Sequence, residues 1–369
     1  MHVIAPHKGM KKQKEEFVID GLFYHFFRPL PSDLLAAIDN KLFRGKLVTY
    51  KENRNKVEAF IHNISPDIVI LVGTENPYYS CTVLGIEDIP IYILCQNVYN
   101  NPENRCACDA MTYHKRATVE KNLLMKSNYF GVYSEKHRAL LRANGYSGYI
   151  FCFQWPNGEP FVAEPVDNKQ YDFINFANSM SSNKGYHDCI NALARVKDKY
   201  PNVQLALVDN GPGSVKNELI EIIGKNGLEG NVTFIPFFEK KTDLLQFLKC
   251  VRFAVLPCKV DHISGTMLQS MEQGLPIVVY KTTGTPLLNA DKQCVLIADM
   301  NDVNGLADNM LKLMEDEALG RMLSTNAMTY MSEYRKNNEG RMEQLIVEFR
   351  AIIDHFNTGR AIPEELLYD

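Results

Sequence analysis

Long hydrophobic runs are missing from this chain. Its most apolar segments, such as "IVILVG" and "FAVLPC", fall well short of the roughly 18 or more residues that span a bilayer. No charged, apolar and small-residue leader opens the sequence, so a cytoplasmic location is expected. Cysteine patterning is absent too. The nine cysteines are odd in number and scattered, and Cys95, Cys152 and Cys258 stand in apolar, strand-like runs where a reduced thiol acts as a small hydrophobe. Cys106 and Cys108 form a CxC, too little for a zinc site. None of the nine histidines falls in an HExxH or comparable ligand spacing, so no metal is expected.

What is there is an ordinary globular composition, 46% hydrophobic and 23% charged, over 369 residues. That length exceeds what one hydrophobic core usually serves, so two domains are expected. The net charge of −4 is unevenly spread: residues 1–160 carry an excess of three basic groups, and 161–369 an excess of seven acidic ones. The basic excess concentrates at Lys41, Arg44, Lys46, Lys51, Arg54 and Lys56, against Glu52 alone. A solvated helix and loop accounts for this cluster. The sharper reading of Lys41–Lys56 is a surface for peripheral membrane contact, meeting anionic lipid or a pyrophosphate-bearing acceptor. No aromatic-basic interleaving accompanies it, so nucleic acid is not expected as a partner.

Short apolar runs alternate with longer amphipathic ones, the pattern of parallel βα units. In the first half, strands are predicted at His2–Pro6, Phe23–Phe27, Asp67–Gly73, Ile91–Cys95, Tyr129–Tyr133 and Tyr149–Phe153. Helices are predicted over Asn55–Asn63 and Ser134–Ala143, and a short charged helix candidate lies between the first two strands. The Pro- and Gly-rich stretch from Trp155 to Gln170 reads as a linker. The alternation then restarts with "YDFINFAN", "VQLALVD", "VTFIPF" and "FAVLPC". The simplest architecture is two tandem nucleotide-fold domains, with strand-end loops facing across a cleft. Domains are expected at residues 1–160 and 161–337, followed by a segment 338–369 whose helix crosses back to the first domain. Its expected apolar stripe is Met342, Leu345, Ile346, Phe349, Ile352 and Ile353.

A parallel sheet gathers helix N-termini at its strand ends, where unpaired N–H groups and the helix dipole favour an anion. Three loops of the second half suit this role. "SSNKG" brings Lys184 and Gly185 to a helix start, and "DNGPG", with Asn210 and Gly211, offers a tight turn against which a flat ring could lie. "DHISGT" opens another helix with the small residues Ser264, Gly265 and Thr266.

The order of these loops resembles the nucleotide-sugar half of the glycosyltransferases of family four. The matching text is "NKGYHDCINALARVKDKYPNVQLALVDNGPG", "NVTFIPF", "VLPC" and "DHISGTMLQSMEQGLPIVV", from Asp172 to about Met331. "SPDIVILVGTENP", "IPIYILCQN" and "WPNGEPF" in the first half match more loosely. The resemblance implies an α/β GT-B fold, two Rossmann-like doubly wound parallel-sheet domains. It implies a retaining, metal-independent transfer from a nucleoside diphosphate sugar to a lipid-linked or saccharide acceptor, in surface polysaccharide or glycolipid synthesis. Lys184 would bind the diphosphate, helped by Gly185 and the amides near Ser264, Gly265 and Thr266. Asp261 would hold the sugar and Gln269 the ribose diol. Asn210, Gly211 and Phe237 complete the expected donor side, and Glu75 and Gln96 are the acceptor-side candidates. Each of these last two is equally a strand-end polar residue tied to backbone.

The sequence departs from the family pattern in several places. The acidic pair is Asp261 and Gln269, and a neutral amide gives up charge-assisted hydrogen bonds. Ser179 stands where the family has an arginine, and His262 where a glycine is usual. The family also has a strand, a Gly-rich turn and a long helix before a strand like "HVIAP", so the first βα unit is expected to be missing from the N-terminal domain. These departures keep open a GT-B binding or scaffold protein with impaired transfer. An epimerase of the same fold would need a further acid–base pair, which the sequence does not offer.

Overall fold

The computed structural model describes all residues except 8–9, 11, 13, 30–37, 39–40, 43–49, 102–109, 156–157, 159, 162, 260–262 and 369. Cys106, Cys108, Arg44, Lys46, Asp261 and His262 therefore lie outside the described residues. The chain forms two compact units, Met1–Pro156 with Gly340–Asp369, and Asn157–Glu339. Among the described residues no helix is long and apolar enough to cross a membrane.

The first unit contains two sheets. β1 (His2–Pro6) pairs in parallel with β3 (Leu22–Phe27), and β3 pairs antiparallel with β2 (Lys14–Ile19). The short charged helix expected after β1 is instead this β2 strand. Asp20 and Gly21 both take positive φ, 49° and 76°, which closes a two-residue hairpin whose twist suits the flanking strands. The local Asp-Gly turn thus overrode the charge pattern.

The other sheet is parallel, in the order β4 (Val69–Val72), β5 (Ile91–Cys95), β6 (Tyr129–Val132), β7 (Tyr149–Cys152). Helices α1 (Lys51–Ile64), α2 (Ala110–Lys126) and α3 (Glu135–Ala143) complete this run. Val57 and Ile61 of α1 join Phe27, Leu71 and Ile93 in one core, while the Phe60 ring tilts against His25 and Phe27. One amphipathic helix thereby serves both sheets. Lys56 of the basic cluster is engaged here, its Nζ donating to the Arg28 carbonyl and lying over the Phe27 ring.

β4 is an outer strand, with β5 its partner among the described residues. The amides of Val69 and Gly73 donate to Pro90 and Leu94 carbonyls at 3.0 and 2.9 Å. Parallel pairing uses every second amide, so those of Ile70 and Val72 point to the outer edge. The side chains of both are exposed, at 44% and 37%.

α10 (Arg341–Thr358) packs on this same unit. Leu345 and Ile352 join Tyr92, Leu94, Tyr129 and Phe151, and the Phe349 ring meets Tyr92 edge-on at 5.3 Å. Its buried face is Arg341, Leu345, Glu348 and Ile352. Met342 and Ile346, expected in the apolar stripe, are exposed. The face rotated because Arg341 and Glu348 satisfy one another at 2.9 Å, with Arg341 also donating to the Cys152 carbonyl.

The second unit is a six-stranded parallel sheet in the order β10-β9-β8-β11-β12-β13. In chain order its elements are β8 (Tyr171–Asn175), α4 (Tyr186–Lys199), β9 (Leu205–Asp209), α5 (Gly213–Lys225) and β10 (Val232–Pro236). There follow α6 (Lys241–Leu248), β11 (Val251–Leu256), α7 (Gly265–Glu272), β12 (Ile277–Tyr280), β13 (Val295–Ala298), α8 (Val303–Glu315) and α9 (Glu317–Asn337). Period-two alternation sends Phe173, Leu205, Leu207, Phe253, Val255 and Val278 to one face. Ile174, Ala206, Val208, Ala254, Ile277 and Val279 go to the other. Both faces are covered, which is why these strands read as unbroken apolar runs.

Candidate functional site

In the second unit β9 lies on one side of β8 and β11 on the other, so the chain reverses its direction of winding at the β8–β11 boundary. Ligands of doubly wound sheets bind beyond the strand carboxyl ends at such a reversal. The segments leaving these two strands are held tightly together. Gly185, at the start of α4, has φ +78°, and a Cβ there would sit 2.3 Å from the Pro257 carbonyl oxygen. No other residue fits. The Lys259 amide donates to Asn183 O at 2.9 Å, which ties the loop after β11 to the Ser182–Lys184 turn. Lys184 is therefore placed, half-buried, beside the end of β11.

The helix that begins after the β11 loop starts where expected, and Ser264 caps it. Ser264 Oγ accepts from the Met267 amide at 3.3 Å and lies 2.8 Å from Thr266 Oγ1, while Gly265 opens α7 with its side exposed. First-turn amides of a helix have no intrahelical partner, so Gly265 and Thr266 present donors at this rim. Gln269, half-buried, is one turn further along α7. Its expected companion Asp261 lies outside the described residues. Glu272 is committed elsewhere, accepting from Arg335 Nε at 2.7 Å.

After β9, Asn210 Nδ2 donates to the Ala177 carbonyl at 2.6 Å, and a Cβ on Gly211 would lie 2.6 Å from Met180 Cβ. The "DNGPG" turn is thus folded against the loop leaving β8. Phe237 follows β10 with 55% of its surface exposed, and Ser179 is exposed on the β8 loop. Asn175, at the end of β8, is fully buried and its side chain hydrogen-bonds the Cys189 side chain of α4.

The first unit carries its own cluster at the ends of β4 and β5. A Cβ on Gly73 would lie 3.2 Å from Tyr79 Oη, 3.4 Å from Glu75 Oε2 and 3.6 Å from Gln96 Oε1, so Glu75 and Gln96 converge over one glycine of φ +90°. Burial pushes the Glu75 carboxyl above the ordinary range, with its own amide and Arg116 opposing the shift. Burial and the Glu75 charge push the Tyr79 hydroxyl up to about 12. Beneath lies Glu120, wholly buried. Its two oxygens accept from Thr74 Oγ1 at 2.8 Å, from the Tyr99 and Asn100 amides at 2.7 and 2.8 Å, and from Asn100 Nδ2 at 2.9 Å.

Sequence reasoning missed Tyr79, Arg116 and Glu120. The available signal was the i, i+4 spacing of Arg116 and Glu120, which puts both on one side of α2. Among the described residues no group of three His, Cys, Asp or Glu side chains is arranged to hold a metal ion.

Residues 159–330 match the family model of glycosyl transferases group 1, a span covering β8 through most of α9. The chain is similar to the lipopolysaccharide core biosynthesis glycosyltransferase LpsE of Rhizobium meliloti, 28% identical over 38% of this chain and 39% of that protein. It spans about half or less of the length of such curated relatives, 49% for a glycosyltransferase of Methanocaldococcus jannaschii. Among solved structures, the sucrose-phosphate synthase of Thermosynechococcus elongatus superposes with a TM-score of 0.72 at 14% identity, over 95% of this chain and 89% of that one. The HepE protein of Anabaena, in complex with UDP and glucose, gives 0.64 at 17% identity, over 88% and 86%. The chain has the α/β fold of these GT-B structures, with a parallel sheet in each unit.

Proposed function

We propose that this chain is a glycosyltransferase that moves a sugar from a nucleoside diphosphate sugar to a hydroxyl acceptor. The observation that carries the reading is the coincidence of the matched span 159–330 with the unit whose strand ends gather Lys184, Gly185 and the first turn of α7. In the reaction the acceptor oxygen bonds to the anomeric carbon as the bond from that carbon to phosphate breaks. The nucleoside diphosphate departs with the electron pair, and the acceptor proton passes to a basic oxygen. Lys184 and the α7 amides would stabilise the charge growing on the leaving phosphate, the task a metal ion performs in other transferases. Metal independence and retention of configuration belong to this proposal.

In it Asp261 holds the sugar, Gln269 the ribose diol, and Asn210, Gly211 and Phe237 flank the base. Glu75 and Gln96 serve the acceptor. The name of the Rhizobium relative supports a lipid-linked or saccharide acceptor of the cell surface, and a meeting at the cytoplasmic face of the membrane belongs to the same proposal. Exposed Lys41 and Lys51 could attract an anionic surface there.

Thermal shift with UDP, GDP, ADP and their sugars tests the donor reading, since a ligand bound only by the native state raises its stability. A base-selective shift is expected, unchanged by EDTA. Silence toward every nucleotide would favour the second reading, a binding protein of this fold with impaired transfer, for which the neutral Gln269 speaks. Transfer that vanishes with chelator and returns with magnesium or manganese would remove the metal-independent part.

A further inference from the structure

The diphosphate of a sugar nucleotide carries two negative charges, and a third develops as the sugar leaves. One lysine leaves that charge under-compensated in a partly buried site. The structure holds a second cation that neither the sequence pattern nor the comparisons point to. Lys259 is the last described residue after β11, and its amide is bonded to Asn183, the neighbour of Lys184. The two lysines therefore leave the backbone at the same place, one from each strand bordering the reversal of the sheet.

The Lys259 side chain is held rather than waving in solvent. Its Nζ lies 2.8 Å from Asp188 Oδ2, and the ion pair is largely buried, at 23% and 14% exposure. The same Asp188 oxygen accepts from Tyr280 Oη at 2.9 Å, so the carboxylate is itself oriented. An ammonium has three N–H donors and Asp188 takes one, which leaves donor capacity for a phosphate oxygen without breaking the pair. An independent feature marks this rim as a ligand site. Asn210 Oδ1, after β9, is buried with no hydrogen-bond partner among the described residues. A buried polar atom is rarely left so, and at this strand end it is available to a polar ligand.

We propose that Lys259 is a second cation for the donor diphosphate, oriented by Asp188 and Tyr280 and acting beside Lys184. The assignment rests on the functional reading above and names a further binding residue within it. A lysine that merely staples the β11 loop to α4 would affect every ligand of the unit alike; a phosphate-binding lysine affects ligands according to their phosphates.

The experiment is a calorimetric titration of wild-type, Lys259→Met and Lys259→Arg proteins with UDP, UMP and uridine, and with the guanosine and adenosine series, at two salt concentrations. Circular dichroism melting confirms that each variant is folded. For the series that the wild type binds, Lys259→Met is expected to weaken the diphosphate roughly tenfold to a hundredfold, the scale of one hydrogen bond to a charged group. Nucleoside binding should be unchanged, the salt dependence of diphosphate binding shallower, and Lys259→Arg should restore most of the affinity. Equal weakening of nucleoside and diphosphate, or no weakening of either, overturns the assignment while leaving the functional reading intact. A wild-type protein that binds none of the three diphosphates overturns the functional reading, and the role of Lys259 falls with it.

Discussion

The placement of Lys184 at the start of α4 was legible because a Lys-Gly pair before a helix is a local pattern. Lys259 was not, because its placement depends on the end of β11 meeting Asn183, a contact that no short window contains. Replacing Lys184 by Ala should weaken nucleoside diphosphate binding by about 1.5–3 kcal/mol, the value of a hydrogen bond to a charged group. Unchanged affinity in a titration would take Lys184 out of the site. Glu75 gives a prediction of a different kind. Its folded-state pKa is raised by burial, so the native state binds more protons than the unfolded chain as pH climbs past the ordinary carboxylate range. The ionised carboxylate then costs stability, a cost absent below the unfolded pKa and fully present above the raised one. Glu75→Gln keeps an acceptor for the Thr74 amide, which now donates to Glu75 Oε2 at 3.0 Å. The variant should melt near the wild type in acid and increasingly above it toward neutral pH. A constant difference across that range would show that Glu75 ionises without hindrance.

Strands and helices with strong periodicity stand where the sequence placed them, and the exceptions are instructive. β2 was read as helix because the charged run leading into it suits one, yet Asp20-Gly21 fixed a hairpin and the strand followed. α10 was placed well, but the expected apolar stripe missed its buried face, which takes in the charged residues Arg341 and Glu348. Arg341 and Glu348 are exposed by only 7% and 1%, and burial raises the Glu348 carboxyl against the pull of Arg341. Removing one partner strands the other as a buried, uncompensated charge. Arg341→Met should therefore cost about 3–5 kcal/mol in chemical denaturation. The double variant Arg341→Met with Glu348→Leu should recover much of that loss. A double variant as unstable as the sum of the singles would mean that the two residues are not coupled, and the stranded-charge account would fail.

At the scale of the whole molecule, two α/β units could be read from length and alternation, and each contains its own parallel β/α sheet and cores. The winding reversal in the second unit could not be read, since strand order is settled by which apolar faces meet and not by their sequence. Nor could the separation of β1 and β3 from the parallel sheet of the first unit, although the same apolar alternation runs through both. The outer edge of β4 has a practical consequence for handling the protein. Two backbone amides and two aliphatic side chains, at Ile70 and Val72, lie together where another chain's strand could align. In concentrated solution this edge is where self-association should begin, showing as light scattering that rises with protein concentration well below the melting temperature. A single lysine at Ile70 places a charge on that edge without entering the core. Ile70→Lys should suppress the scattering and leave the melting temperature within about a degree of the parent, because surface changes of this kind usually shift stability by only about 0.5 kcal/mol. If the variant precipitates as readily as the parent, the adhesive surface lies elsewhere on the molecule.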